Sequence, residues 1–184
     1  MPSFSDLLTS ARNGDVGSQC DLAMKYFTGN GVEEDASEAA YWWRQAAEQG
    51  HAPSQYNLGN SYYRGEGLEK NYVKAFHWYR KAAQHAHDGI LIDFCDYYSL
   101  EEIKSGITAA IQAAFINLGR AYGNGQGVEK DDVEAYAYYN LGGIADEVGR
   151  RNVAVLERKM SRDEIHAGQR RTRELKLYYS KISL

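Results

Sequence analysis

The residues best suited to metal or nucleophilic chemistry in this chain are five histidines and two cysteines. One cluster gathers several of them: His85 and His87 stand two apart, Asp88 follows, and Asp93 and Cys95 come shortly after. These are ligand types for zinc and related ions. The spacing fits no standard zinc pattern, and on a helix residues i and i+2 point apart. The cluster reads as a solvated helix end, and neither a metal nor any other cofactor is expected. His-Glu-x-x-His, Gly-x-Ser-x-Gly, the P-loop and Ser-x-x-Lys are absent from the sequence. Gly-x-Gly pairs at 29–31, 65–67 and 125–127 share a fragment with phosphate-binding fingerprints, but they follow helical patterns instead of strands. Catalysis is not expected.

The informative polar residues are regularly placed. Asp21, Asn57, Asp93 and Asn117 each stand one position before a core Leu or Phe. At i+4 and i+7 come Lys25 and Thr28, then Ser61 and Arg64, then Ala121 and Asn124. That spacing makes one polar stripe per helix. Two readings are open. The stripe binds an extended peptide, with side-chain amides on its backbone and Lys25 and Arg64 on its carboxylates. Alternatively, Asp21 and its equivalents bond between neighbouring units and hold the array together.

The stripe recurs because the chain recurs. Moved back by 36 residues, His51–Ala86 lies on Asp15–Gly50: Leu58 falls on Leu22, Tyr62 on Tyr26, Gly65 and Gly67 on Gly29 and Gly31, Trp78 on Trp42. Moved forward by 60, it finds Leu118, Tyr122, Gly125, Gly127, Ala135 and Tyr139. Such a period marks a repeat array. The unit is a helical hairpin. Gln55, Leu58, Gly59 and Tyr62 share one face of its first helix, and Gly65 and Gly67 make the turn. Asn71, like Asp35 and Asp131, caps the second helix. Glu38 and Glu134, three residues after the two acids, give the spacing of a capping box. Ala75, Tyr79, Ala82 and Ala83 then form a buried stripe.

The A-x-x-N-L-G-x-x-Y-type first helices, the Gly-x-Gly-[Val/Leu] loop and the D-x-x-x-A-x-x-W-[YW]-x-x-A-A second helix resemble the Sel-one-like repeat family, a relative of the tetratricopeptide repeats. In the third full repeat Gly142 and Gly143 replace the paired alanines, and no Trp appears. The resemblance implies an αα solenoid used as a protein-binding scaffold. A cysteine-rich branch of that family carries a disulfide in each repeat; Cys20 and Cys95 do not make that pattern and are read as buried thiols in a reducing compartment.

The expected fold is all-α: a right-handed αα-hairpin superhelix of about four repeats, forming one domain over 1–184. Its parts are an N-terminal capping helix at 3–14, built on Phe4, Leu7, Leu8 and Ala11, and repeats at 15–50 and 51–86. A truncated, degenerate repeat at 87–110 ends in a short helix, Leu100 to Ala109, capped by Ser99 with Glu102. A repeat at 111–143 and C-terminal capping helices at 144–184 complete it. The first C-terminal helix spans Ile144 to Met160, with Gly149 as a candidate break. The second starts after a Ser161–Glu164 capping box. In stacked hairpins the first helices line the concave side.

Charge is divided along the chain. Residues 149–184 carry ten Lys or Arg against four Asp or Glu, a net +6, which leaves −10 on the remainder of a chain whose total is −4. Arg170, Arg171 and Arg173 are a candidate basic patch; the competing reading is a solvated face of a capping helix. Residues 1–20 hold Asp6, Arg12 and Asp15 and no signal-peptide core, and no apolar run is long enough for a membrane. A cytoplasmic protein is expected. Its function reads as a non-catalytic interaction scaffold or adaptor that binds a peptide or protein on the concave face. The alternative is an acidic partner or nucleic acid on the basic helix, though nucleic acid is not the expected partner. Weak head-to-tail self-association would follow from the same charge split.

Overall fold

The computed structural model describes residues 3–84, 100–143 and 147–181, apart from the side chains of 100–108 and 180–181. All regular structure among these residues is helical: α1 (Phe4–Arg12), α2 (Val16–Thr28), α3 (Ala36–Glu48), α4 (Ala52–Arg64), α5 (Tyr72–Gln84), α6 (Leu100–Asn124), α7 (Asp132–Gly142), α8 (Glu147–Glu157) and α9 (Arg162–Lys181). Helices α2 with α3, α4 with α5 and α6 with α7 form hairpins, and α3 on α4 and α5 on α6 join successive units. The first helices α4 and α6 also meet directly. The fold is an all-α helical repeat solenoid.

The hairpin follows from its turn residues. Gly29 and Gly65 end their helices in the left-handed conformation, at φ 66° and 77°. Asp35, Asn71 and Asp131 then accept hydrogen bonds from the first amides of the second helices. The expected reciprocal half of the capping box is not made at Asp35 or Asp131. Their own N–H groups, and that of Asn71, donate to the carbonyls of Tyr26, Tyr122 and Tyr62 respectively. The turn folds back onto the first helix, so a backbone oxygen already takes the donor. Glu38 instead accepts from the Trp42 indole at 3.1 Å, and Glu134 from Arg171 at 2.6 Å. Full capping boxes form at Ser161–Glu164, as expected, and at Ser3–Asp6.

Hairpins stack through repeated contacts. Gln19 donates to the Ala11 carbonyl and Gln55 to that of Ala47, each at 3.0 Å. Asp15 N–H donates to Ser10 and His51 N–H to Ala46, each at 3.1 Å. Helix α1 therefore stands in the place of a second helix, one half-unit before the first hairpin. The second glycine of the turn is the other stacking device. A Cβ on Gly67 would lie 2.0 Å from the Ala36 carbonyl oxygen, and one on Gly127 2.3 Å from that of Tyr72. Each turn thus rests directly on the start of the preceding hairpin's second helix.

Leu22, Leu58 and Leu118, one per hairpin, are fully buried and each contributes about 1.5–3 kcal/mol. The core around them is continuous from Leu7 to Tyr179. Tyr122 stacks flat on Tyr138, with centroids 5.5 Å apart.

The helix expected to stop at Ala109 does not. Helix α6 runs unbroken from Leu100 to Asn124, because 109–116 is a run of Ala, Ile, Gln and Phe with no cap or breaker. The expected 111–143 repeat therefore shares its first helix with the preceding segment. The remainder of the truncated repeat, with His87, Asp88, Asp93, Cys95 and Ser99, lies outside the described residues, as does His85 just before it. Nor does Gly149 interrupt its helix. A Cβ there would fall 2.4 Å from the Cα of Gly143, and one on Gly142 2.7 Å from Ile116. The glycines that replace the paired alanines let α8 and α6 close on the end of α7.

Candidate partner-binding cleft

On α4, Tyr56, Asn60, Tyr63 and Arg64 share one face; on α6, Ala113, Ile116, Asn117 and Arg120 do the same. The two faces border an open cleft of about 280 Å³, with Tyr79 of α5 at its floor and Val148 of α8 at its rim. A chain of polar side chains crosses it. The Tyr79 hydroxyl donates to Asn60 Oδ1 at 2.9 Å, and Asn117 Nδ2 reaches the same oxygen at 3.5 Å. Arg120 donates to Asn117 Oδ1 at 3.2 Å. Burial, and then Tyr56, pushes the Tyr79 phenol well above its ordinary pKa against the pull of Arg120, so it remains an O–H donor. Among the described residues no carboxylate pairs with Arg120.

The expected polar stripe meets this cleft only in part. Arg64 and Asn117 line it. Arg64 is exposed, with Glu66 at 3.6 Å, and Asn117 makes the bond to the neighbouring first helix just described. Asn57 is half-buried beside the cleft, whereas Ser61 is only 2% exposed and belongs to the hairpin interior. Asn124 is exposed at the end of α6. Asp21, Lys25 and Thr28 lie away from it on α2, where the Thr28 hydroxyl returns to the Met24 carbonyl. Burial raises the pKa of Asp21, and Lys25 partly offsets this. Asp93 lies outside the described residues.

Tyr56, Asn60, Tyr63 and Arg120 were not singled out by sequence, and Tyr79 was read only as part of a buried stripe. The signal was in the register: the position of Asn60 holds Met24 and Arg120 in the other hairpins, and that of Tyr79 holds Trp43 and Tyr139. The floor Tyr needs a polar partner one helix away. In the first hairpin Met24 cannot supply one, and the buried Trp43 indole N–H has no hydrogen bond.

The basic patch is also smaller than expected. Arg170 and Arg173 are exposed, but Arg171 bonds Glu134 of α7 at 2.6 Å and Glu174 at 3.2 Å. It braces α9 on α7. Among the described residues no group of three or more His, Cys, Asp or Glu is placed to hold a metal, and no helix is long and apolar enough to cross a membrane.

The family model described as Sel1 repeat matches residues 16–51, 52–87 and 113–143, more than half of the chain. The chain belongs to the Sel1 repeat family. Two of its repeats, as matched, contain α2–α3 and α4–α5, and the third begins inside α6. One similar solved structure is c5321, described as a protective antigen present in uropathogenic Escherichia coli strains displaying an SLR fold. Its TM-score is 0.75 at 29% identity, over 96% of this chain and 33% of that one. The Sel1 array thus spans a third of the length of that protein. A Sel1 repeat protein from Oxalobacter formigenes matches with a TM-score of 0.62 at 30% identity, over 82% of this chain and 96% of that one. No curated protein matches in sequence. Sel1 repeat proteins in general mediate protein–protein interaction.

Proposed function

We propose that this Sel1 array is a non-catalytic scaffold that binds a protein or peptide partner on its concave, first-helix side, at the cleft between α4 and α6. The observation that carries the reading is the convergence there of three tyrosines, two arginines and two asparagines in an open cleft. Tyr and Arg dominate the energetics of protein interfaces, and the polar chain from Tyr79 to Arg120 holds the cleft's groups in place before a partner arrives. Of the sequence-derived residues, Asn57, Arg64 and Asn117 stand at or beside this cleft, and Asp21, Lys25, Thr28 and Asn124 would contact only a partner that extends along the array. We place the protein in a reducing, cytoplasmic setting, in keeping with a chain that carries only two cysteines and not one disulfide pair per repeat. Binding through the basic C-terminal helix is the less favoured reading, because Arg171 is committed to Glu134.

The test is capture of a partner from native lysate by the wild type and by two variants. Asn57→Ala with Arg64→Ala should lose the partner at unchanged helicity and melting temperature. Tyr41→Ala, on the exposed side of α3, should retain it. Capture unaffected by the first and abolished by the second would place binding on the other side of the array.

A further inference from the structure

We propose that the α4–α6 cleft takes the carboxylate of a Glu or Asp side chain from an extended segment of the partner, held by Arg120 and assisted by Arg64. This rests on the cleft being the binding site and specifies what it selects. The first ground is charge. Outside its last 36 residues the chain carries −10, yet this cleft is walled by two guanidiniums, one from each first helix. Arg120 is part-buried among tyrosines and bonds Asn117, with no described carboxylate beside it. A guanidinium has five N–H donors, so one bond to a neutral amide leaves the planar fork able to take a carboxylate in two parallel bonds. The pair of Arg64 with Glu66 is long, at 3.6 Å, and exposed; such pairs exchange partners at little cost.

The second ground is orientation. Asn60 Oδ1 receives Tyr79 and Asn117, which fixes the amide so that its own N–H₂ is directed elsewhere and can donate to a peptide carbonyl. Asn117 in turn presents Oδ1 to Arg120 and so steadies the guanidinium. The volume, about 280 Å³, suits one or two side chains of a strand laid across the helices more than a compact ligand enclosed on all sides. Neighbouring tyrosines supply rigid apolar walls for the stem of that side chain.

The experiment selects random octapeptides displayed on phage against the full chain, then measures synthetic copies by fluorescence anisotropy. The peptides recovered should share an acidic position. Changing it to Gln or Asn, or changing the protein by Arg120→Gln, should each weaken binding about ten-fold or more, with no further loss when both are changed. Arg120→Glu should reject these peptides and accept copies carrying Lys at that position. Arg64→Gln, at an exposed site on the cleft's edge, should weaken binding to a lesser degree and gives a variant whose folding is not in question. Peptides that bind in the cleft, being sensitive to Tyr63→Ala, but carry no acidic position and ignore Arg120→Gln would overturn the carboxylate while leaving the cleft as the interaction site. A ten-fold preference for phosphoserine over Glu would likewise overturn it in favour of a phosphorylated partner. Peptides indifferent to Tyr63→Ala, Arg64→Gln and Arg120→Gln alike would remove both the carboxylate and the cleft.

Discussion

Alanine at the second glycine of each turn separates stacking from turn geometry. At Gly31 the backbone has φ 79° and nothing lies within 4 Å of an added Cβ. Gly31→Ala should therefore cost only the left-handed strain, about 1–2 kcal/mol. At Gly67 the φ is 69°, but the Cβ would fall 2.0 Å from the Ala36 carbonyl oxygen. Because the obstacle is backbone, the turn must lift off the start of α3 by about 1 Å, adding roughly 1–3 kcal/mol in the range of core overpacking. Gly127→Ala meets the Tyr72 carbonyl in the same way at 2.3 Å. At about 2–4 °C per kcal/mol for a chain of this size, Gly31→Ala should lower Tm by roughly 2–8 °C and the other two by roughly 4–20 °C. Melting is followed by circular dichroism and by tryptophan fluorescence together, since repeat arrays can lose units separately. Trp42 and Trp43 report on the first hairpin and Trp78 on the second. A Gly67→Ala protein that melts with Gly31→Ala would refute the stacking role of the turn.

Three further outcomes follow from the same contacts. Arg171→Gln should lower stability by about 1.5–3 kcal/mol, the range for a hydrogen bond to a charged group, while Arg170→Gln and Arg173→Gln leave the urea midpoint unchanged; equal effects would deny the brace between α9 and α7. Asp21→Asn should stabilise the fold at neutral pH. Burial raises the folded pKa above 3.8, so the native state holds the proton longer and stability falls as pH rises through that window; a gain that persists unchanged at pH 3 would contradict this. Tyr122 is pushed up to about 12 by burial, Tyr138 and Glu134, and Tyr79, Tyr138, Tyr139 and Tyr179 are raised as well. Their neutral forms are the folded forms, so stability should be full below pH 10 and lost above it, with part of the tyrosine absorbance change at 295 nm arriving together with loss of helix. Complete ionisation near pH 10 at intact helicity would contradict the burial of this aromatic core.

Much of the fold was legible because the turn residues admit few alternatives. Gly65 required a left-handed cap, Asn71 a helix start, and the spacing of Leu58 and Tyr62 a buried face, and all three are observed. The capping box at Asp35 was misread because sequence spacing does not show that the Tyr26 carbonyl reaches the same N–H. The break after Ala109 was inferred from repeat phase, which says nothing about whether a helix continues through a boundary lacking a breaker. The cleft was half legible. Arg64 and Asn117 were on the polar stripe, but Tyr56 and Tyr63 stand off both the stripe and the buried face, and Asn60 and Arg120 appear as a pair only when α4 and α6 are seen to meet. Arg171 was counted as surface charge because Glu134 lies 37 positions away.

The central claim is that partners bind between α4 and α6. Hydrogen–deuterium exchange of the full chain, with and without a saturating octapeptide selected on it, tests this most directly. The account predicts added protection concentrated in 56–64 and 113–120, with α3 and α9 unchanged. Protection confined to α9, or to the exposed side of α3, would contradict it.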